Sequence, residues 1–185
     1  MAKEYLALFD LDGTLFDTGD VNYYAYKEAL TPFNVELDKE YFVNKCNGRH
    51  YTEFLPQIMG TYEHMDEVHK LKKSAYANNL DKARVNHHLF EIIMQMKEKY
   101  HLAVVTTASR QNATDILKYY NYYDIFEFMV TQEDITRIKP DPEGFILAMN
   151  HFEIDAKNTV IFEDSEVGIQ AAKATGATVF VIGQL

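Results

Sequence analysis

At 185 residues the chain is long enough to bury a sizeable core and to carry a small inserted module. Its 28 acidic against 18 basic residues give a formal net charge of -10, which repels a polyanion and gains nothing from counterion release, so nucleic acid is excluded as a partner. A single cysteine, Cys46, excludes an internal disulfide and suits a reducing compartment, and no apolar run is long enough to cross a bilayer. Residues 1–5 lead directly into an apolar segment without a signal-peptide pattern, so a cytoplasmic protein with no membrane partner, folded end to end, is the expectation.

The first apolar run, residues 5–9, reads as a strand buried on both faces and leads into Asp10-Leu11-Asp12-Gly13-Thr14. Two carboxylates two residues apart thus stand at a strand end, ahead of a glycine that permits a sharp turn. Acidic turns after strands are common, and this pair alone carries no chemistry. Residues 17–83 are helical in character with no convincing strand: Tyr51, Phe54, Leu55 and Ile58 form one apolar stripe, and Val68, Leu71 and Ala75 another. This segment reads as a helical module inserted after the first strand.

Beyond it, strand and helix alternate. A helical stripe of Leu89, Ile92, Ile93 and Met96 precedes a strand at 102–105, which leads into Thr106-Thr107-Ala108-Ser109. Hydroxyls and backbone N–H groups entering a helix suit a phosphate oxygen, although the same run makes an ordinary N-cap. A stripe of Ala113, Ile116, Leu117 and Tyr120 follows, then a strand at 126–130 and the turn Lys139-Pro140-Asp141-Pro142, where Lys139 is a point charge in a proline-stiffened turn. Phe145, Ala148, Met149 and Phe152 mark the next helix, and a strand at 160–162 leads into Glu163-Asp164-Ser165. Gly168, Ala171 and Ala172 then let a helix pack closely on the sheet, before a last strand at 179–182. The expected fold is α/β, a Rossmann-like parallel sheet of about five strands with a core at 1–16 and 84–185 and a helical insert at 17–83.

Ligands of open parallel sheets bind at the carboxyl ends of the strands. Here those ends carry an acid pair, a hydroxyl run, a lysine and a second acid pair, in that order. Asp-x-Asp-Gly-Thr with Lys-Pro-x-Pro and Glu-Asp-Ser in this arrangement resembles the haloacid dehalogenase-like hydrolase superfamily, in particular its helical-cap branch of phosphatases and β-phosphoglucomutase-like enzymes. The resemblance covers most of the chain. It implies a Mg²⁺-dependent phosphatase acting on a small phosphorylated metabolite, a sugar phosphate or similar, with Asp10 as the nucleophile. The side chains of Asp10 and Asp164, the backbone carbonyl of Asp12 and the carboxylate of Glu163 are the implied ligands. Asp12 is implied to move the proton, and Lys139 to neutralise the phosphoryl oxygens.

The hydroxyl of the family falls on Thr106 or Thr107, and Thr106 is favoured because it directly follows the apolar run; Gly13, Thr106, Thr107 and Lys139 form the implied phosphate cradle. In the insert, Asn47-Gly48-Arg49 resembles the loop that meets substrate in the mutase branch, so Arg49 is a candidate contact, as is Ser109 in the core; a solvated surface arginine fits Arg49 equally well. Asn22, a further candidate substrate contact, stands where mutases carry a histidine, and this departure favours hydrolysis over the alternative, a sugar-phosphate mutase. A phospho-acceptor signalling domain fits less well, because its acidic pair is usually adjacent and it has no cap. A silent binding protein is disfavoured by the complete set of core residues. The histidines lack ligand spacing, and the tyrosine clusters suit helix packing. The chain stops at Leu185, soon after the fifth strand, which leaves a sheet edge that is short or meets a partner; a monomer or weak homo-oligomer is expected.

Overall fold

The computed structural model describes residues 3–47 and 49–183. The chain forms two compact units, one of Met1–Asp17 with Arg84–Leu185 and one of Thr18–Ala83. In the first, β1 (Tyr5–Phe9) leads to a two-residue strand β2 (Phe16–Asp17) that pairs antiparallel with β3 (Arg84–Val85). There follow α5 (His87–Met96), β4 (Tyr100–Val105), α6 (Arg110–Tyr119), β5 (Phe128–Val130), α7 (Glu143–Phe152), β6 (Thr159–Glu163), α8 (Glu166–Ala174) and β7 (Thr178–Val181). The second unit holds α1 (Gly19–Leu30), α2 (Lys39–Lys45), α3 (Tyr51–Met59) and α4 (Met65–Tyr76).

The main sheet runs in the order β5-β4-β1-β6-β7, with every pairing parallel. Strand β1 is central and covered on both faces: Leu6, Ala7, Leu8 and Phe9 are all fully buried, although alternate side chains point to opposite faces. Its partners are in register, Phe9 opposite Val104 on one side and Phe162 on the other. Phe9 stacks on Phe162 at 4.7 Å and Phe162 on Phe180 at 5.0 Å, an aromatic row just below the strand ends. Leu8, Val105, Val130, Phe145 and Ile161 build the core beneath. The strand order reverses at β1, since β4 and β5 lie to one side and β6 and β7 to the other, and the crevice at that reversal is where ligands of such sheets bind.

The α/β fold with its parallel five-stranded sheet is as the sequence leads one to expect. Local details differ. The short ribbon of β2 and β3 carries no apolar periodicity and is invisible to it, yet it places Asp17 in the first unit, paired with Arg84, where the sequence puts Asp17 in the insert. Strand β5 begins at Phe128, after a 3-10 turn at Tyr123–Ile125. Ile92 and Leu71 are exposed at the margins of the stripes assigned to them, and Tyr120 caps α6 from outside the helix.

In the second unit the core is aromatic, with Tyr23, Tyr26, Phe42, Phe54, Leu55 and Val68 packed together. The rings of Tyr26 and Phe54 meet edge to face at 5.2 Å, as do those of Phe42 and Phe54 at 6.2 Å. Helix α2 starts at Asp38, whose carboxylate accepts the N–H of Tyr41. No helix among the described residues is long and apolar enough to cross a membrane.

Candidate active site

The site is assembled from chain segments that leave the carboxyl ends of β1, β4 and β6, together with the turn ahead of α7. Asp10 continues the line of β1, its N–H donating to the carbonyl of Phe162 at 3.0 Å, and its side chain is buried. The turn that follows is closed by the Gly13 N–H on Phe16 O and by the N–H groups of Leu15 and Phe16 on Leu11 O. Gly13 has φ of +97°, open to glycine alone at little cost, and a Cβ there would overlap the carboxylate of Asp164. The Thr14 hydroxyl donates to Asp164 Oδ1 at 2.8 Å, so this turn both makes room for that carboxylate and orients it.

Glu163 ends β6 and is fully buried. Its Oε2 accepts the N–H and hydroxyl of Ser165 at 2.9 and 3.1 Å, while Ser165 Oγ caps α8 by accepting the Gly168 N–H. Gly168 is required by proximity, since a Cβ on it would overlap the Glu163 carboxylate. Lys139 reaches in from the turn before α7. Its Nζ donates to Asp10 Oδ1 at 2.5 Å, to Glu163 Oε1 at 2.6 Å and to the carbonyl of Val105 at 3.3 Å, so all three of its N–H groups have an acceptor.

Buried charge is tolerated only when paired and hydrogen-bonded. Lys139 meets that condition: burial opposes its charge, but Asp10 and Glu163 outweigh it and hold its pKa above the ordinary lysine value. The carboxylates are hydrogen-bonded too, but they outnumber the cation. Burial pushes Asp10 well above the usual carboxylate range against the pull of Lys139, with Glu163 and then Asp12 adding to the rise. Burial likewise raises Asp164, although Thr14 opposes it. Asp10, Glu163 and Asp164 each present an oxygen within 4.8 Å of the others, the one such group of three acids, histidines or cysteines among the described residues. Three carboxylates thus cluster about one ammonium that pairs with two of them, and an all-oxygen donor set with excess negative charge fits a hard divalent cation such as Mg²⁺. The side chain of Asp12 is half-buried and outside that set.

The structure brings Asp10, Lys139, Glu163 and Asp164 together. Thr106 is buried at the end of β4, its N–H on Val130 O and its Oγ1 accepting the Ala108 N–H at 3.0 Å; Thr107 is exposed beside it and lines a small hollow with Thr106, Arg137 and Lys139. Ser109, a candidate substrate contact, is a buried N-cap of α6, with Oγ accepting the Asn112 N–H at 3.3 Å. In the second unit, Asn22 Nδ2 donates to Thr18 Oγ1 at 3.3 Å. Arg49 is exposed and bonded to the Glu53 carboxylate at 2.9 Å and to the Lys45 carbonyl at 3.0 Å. Gly48 lies outside the described residues.

Sequence reasoning missed the orienting groups. Thr14 and Ser165 sit inside the quoted motifs, and a carboxylate next to a hydroxyl was the signal available. Asn86, which donates to the Thr14 carbonyl at 3.1 Å and accepts the Leu89 N–H, reads locally as the N-cap of α5, and nothing local points to Thr14, which is distant in sequence.

A validoxylamine A 7'-phosphate phosphatase of Streptomyces hygroscopicus subsp. limoneus is 28% identical over 183 residues, spanning 96% of this chain and 84% of that protein. A phosphorylated carbohydrates phosphatase of Thermotoga maritima is 27% identical over 176 residues, spanning 91% of this chain and 80% of the relative. Among solved structures, CbbY of Rhodobacter sphaeroides in complex with phosphate superposes with a TM-score of 0.85 at 22% identity, covering all of this chain and 88% of the other, which is a likeness of fold. The family described as haloacid dehalogenase-like hydrolase matches residues 7–182, nearly the whole sequence and every strand end that supplies the buried acids and the lysine, and the chain belongs to that family.

Proposed function

We propose that this protein is a Mg²⁺-dependent phosphatase that hydrolyses a small phosphorylated metabolite through an aspartyl-phosphate on Asp10. The observation that carries this reading is the buried Asp10 carboxylate held 2.5 Å from the Lys139 ammonium, beside Asp164 and Glu163. Phosphoryl transfer has a loose, charge-rich transition state, so positioning and electrostatic stabilisation supply most of the rate. Asp10, Asp164 and the Asp12 carbonyl are the groups that would hold Mg²⁺, with Glu163 beside them, and the cation would offset the negative charge shared by nucleophile and phosphate.

A carboxylate oxygen of Asp10 attacks phosphorus, the ester P–O bond breaks, and the Asp12 carboxyl gives its proton to the leaving oxygen. Asp12 then takes a proton from water, which attacks the same phosphorus and releases the Asp10 oxygen with inorganic phosphate. Lys139 neutralises charge on Asp10 and on the phosphoryl oxygens, while Thr106, Thr107 and the Gly13 turn contribute hydroxyl and backbone donors. The names of the two relatives support phosphorylated carbohydrates or similar polyols as the substrate class. In the second unit, Arg49 is the candidate substrate contact, and it must exchange the Glu53 carboxylate to take up a substrate anion.

A Mg²⁺-dependent screen of phosphorylated sugars, nucleotides and short organic acids, run beside Asp10→Asn, tests the assignment. The parent is expected to release phosphate from at least one ester and the variant to be at least about a thousandfold slower. Equal rates would refute Asp10 as nucleophile. Product analysis with hexose 1-phosphates separates hydrolysis, expected here, from isomerisation.

A further inference from the structure

Lys139 must meet three acceptors at once from a flexible four-carbon stem, so the backbone that carries it has to be held in place. The loop ahead of it, from the end of β5 to α7, belongs to no strand or α-helix. We propose that Glu143 is a positioning residue for Lys139: fixed on the first turn of α7, its carboxylate pins the backbone of residues 136 and 137 and thereby sets where the lysine is presented. The consequence for rate rests on the phosphatase reading above; the positional claim does not.

The carboxylate contacts are unusually complete. Oε1 accepts the Thr136 N–H at 3.0 Å and its hydroxyl at 3.1 Å. Oε2 accepts the Arg137 N–H at 2.8 Å, the Thr136 hydroxyl at 3.0 Å and the Arg137 Nε at 3.2 Å. Asp141 closes the other side, with Oδ1 accepting the Glu143 N–H at 3.0 Å and Oδ2 lying 3.3 Å from Arg137 Nη1. Chain on both sides of Lys139 is therefore tied to the start of one helix.

That helix start is itself immobilised by packing. Phe145 is buried against the core and its ring lies 5.1 Å from Lys139 Nζ, while the Cα of Gly144 comes so near β4 that an added Cβ would sit 3.1 Å from Val105 Cγ1. A carboxylate serving the helix dipole alone needs no contact with the loop. The donors of Thr136, then Arg137, also hold the Glu143 pKa down at about 2, so the clamp is charged throughout the working range.

The test is competitive acetylation of lysines, read by mass spectrometry, in the parent, Glu143→Gln and Glu143→Ala. The rate at buried Lys139 is measured against that at exposed Lys157. Turnover of p-nitrophenyl phosphate with saturating Mg²⁺ and melting temperature are followed in parallel. Relative labelling of Lys139 is expected to rise several-fold in Glu143→Ala and less in Glu143→Gln, which keeps the size of the side chain and part of its acceptor capacity. The rate constant kcat is expected to fall about tenfold in Glu143→Ala with KM within about twofold, because a displaced lysine costs transition-state stabilisation and not binding.

Parental labelling of Lys139 in folded Glu143→Gln overturns the proposal, whatever happens to the alanine variant. Raised labelling with unchanged kcat overturns the catalytic consequence. Raised labelling in a protein whose parent releases phosphate from no ester would leave the positional role standing and sink the phosphatase reading instead.

Discussion

The two units bury different things. At the strand ends of the first, the chain sinks Asp10, Glu163 and the Lys139 ammonium below the surface and gives each a hydrogen-bonding partner. The second builds its core from rings, and its ion pairs of Lys39 with Asp20 and Arg49 with Glu53 are exposed. Lys72 is the partial exception, a buried lysine whose ammonium lies over the rings of Tyr26 and Tyr76 at 5.3 and 5.0 Å. Burying unpaired charge costs several kcal/mol, and burying rings is favourable, so a fold gains nothing from the first arrangement that apolar residues would not supply. Charge gathered below the surface at the crevice of a parallel sheet marks chemistry; rings gathered in a helical unit mark scaffold.

The contrast is broken or sharpened most strongly at Lys139. Lys139→Met removes the shared ammonium and leaves Asp10 and Glu163 facing each other. Phosphate release should fall at least about a hundredfold, and stability by about 3–5 kcal/mol, as for a buried pair stripped of one partner. Retained activity in this variant would end the claim that the buried charge serves catalysis.

Phe42→Ala probes the other side. Phe42 is fully buried among Tyr23, Tyr26 and Phe54, and its truncation should cost about 3–5 kcal/mol in urea denaturation. A loss under about 1 kcal/mol would show that this aromatic cluster collapses around the gap and is no rigid scaffold.

Divalent cation and pH act on the first unit together. Asp10 and Asp164 have raised pKa values in the folded protein, chiefly from burial, and so bind protons more tightly folded than unfolded. Their stabilising contribution is complete below the ordinary aspartate value of about 3.9 and is lost as pH rises through the raised folded values. Mg²⁺ competes with those protons. The gain in melting temperature on adding it should therefore be larger at about pH 8 than at about pH 5, approaching the equivalent of ~2.7 kcal/mol at a hundredfold excess over Kd. A gain that is equal at both pH values would mean that the cation binds elsewhere.

The smallest effect is expected at Arg49, whose pair with Glu53 is exposed. Arg49→Ala should change stability by less than about 0.5 kcal/mol. KM for the best ester in the screen should rise several-fold with kcat kept, and an unchanged KM would return Arg49 to the surface pairs.

What was legible in the chain was what local chemistry dictates. The five apolar runs became the five strands of the sheet, the inner β4, β1 and β6 buried on both faces and the edge strand β7 largely exposed. The acid pairs and the hydroxyls were legible as groups standing at strand ends, and the lysine as a charge in a proline-stiffened turn, which lies just before α7 and well past the end of β5. The ribbon of β2 and β3 was not, being two residues long on each side, whereas the N-cap of α6 was legible in the hydroxyl run and only its assignment to Ser109 needed the structure.

The sequence by itself determined the alternation of strand and helix, and hence the sheet and the end of it that bears the polar groups. Only the tertiary structure decided which groups meet. Lys139 and Asp10 are 129 residues apart, and Thr14 and Asp164 are 150 apart. Strand order and turn geometry, both products of long-range packing, place them within a hydrogen bond of one another. The role of Glu143 belongs there too: a glutamate on a helix's first turn reads as a dipole partner until the loop it holds is seen beside it.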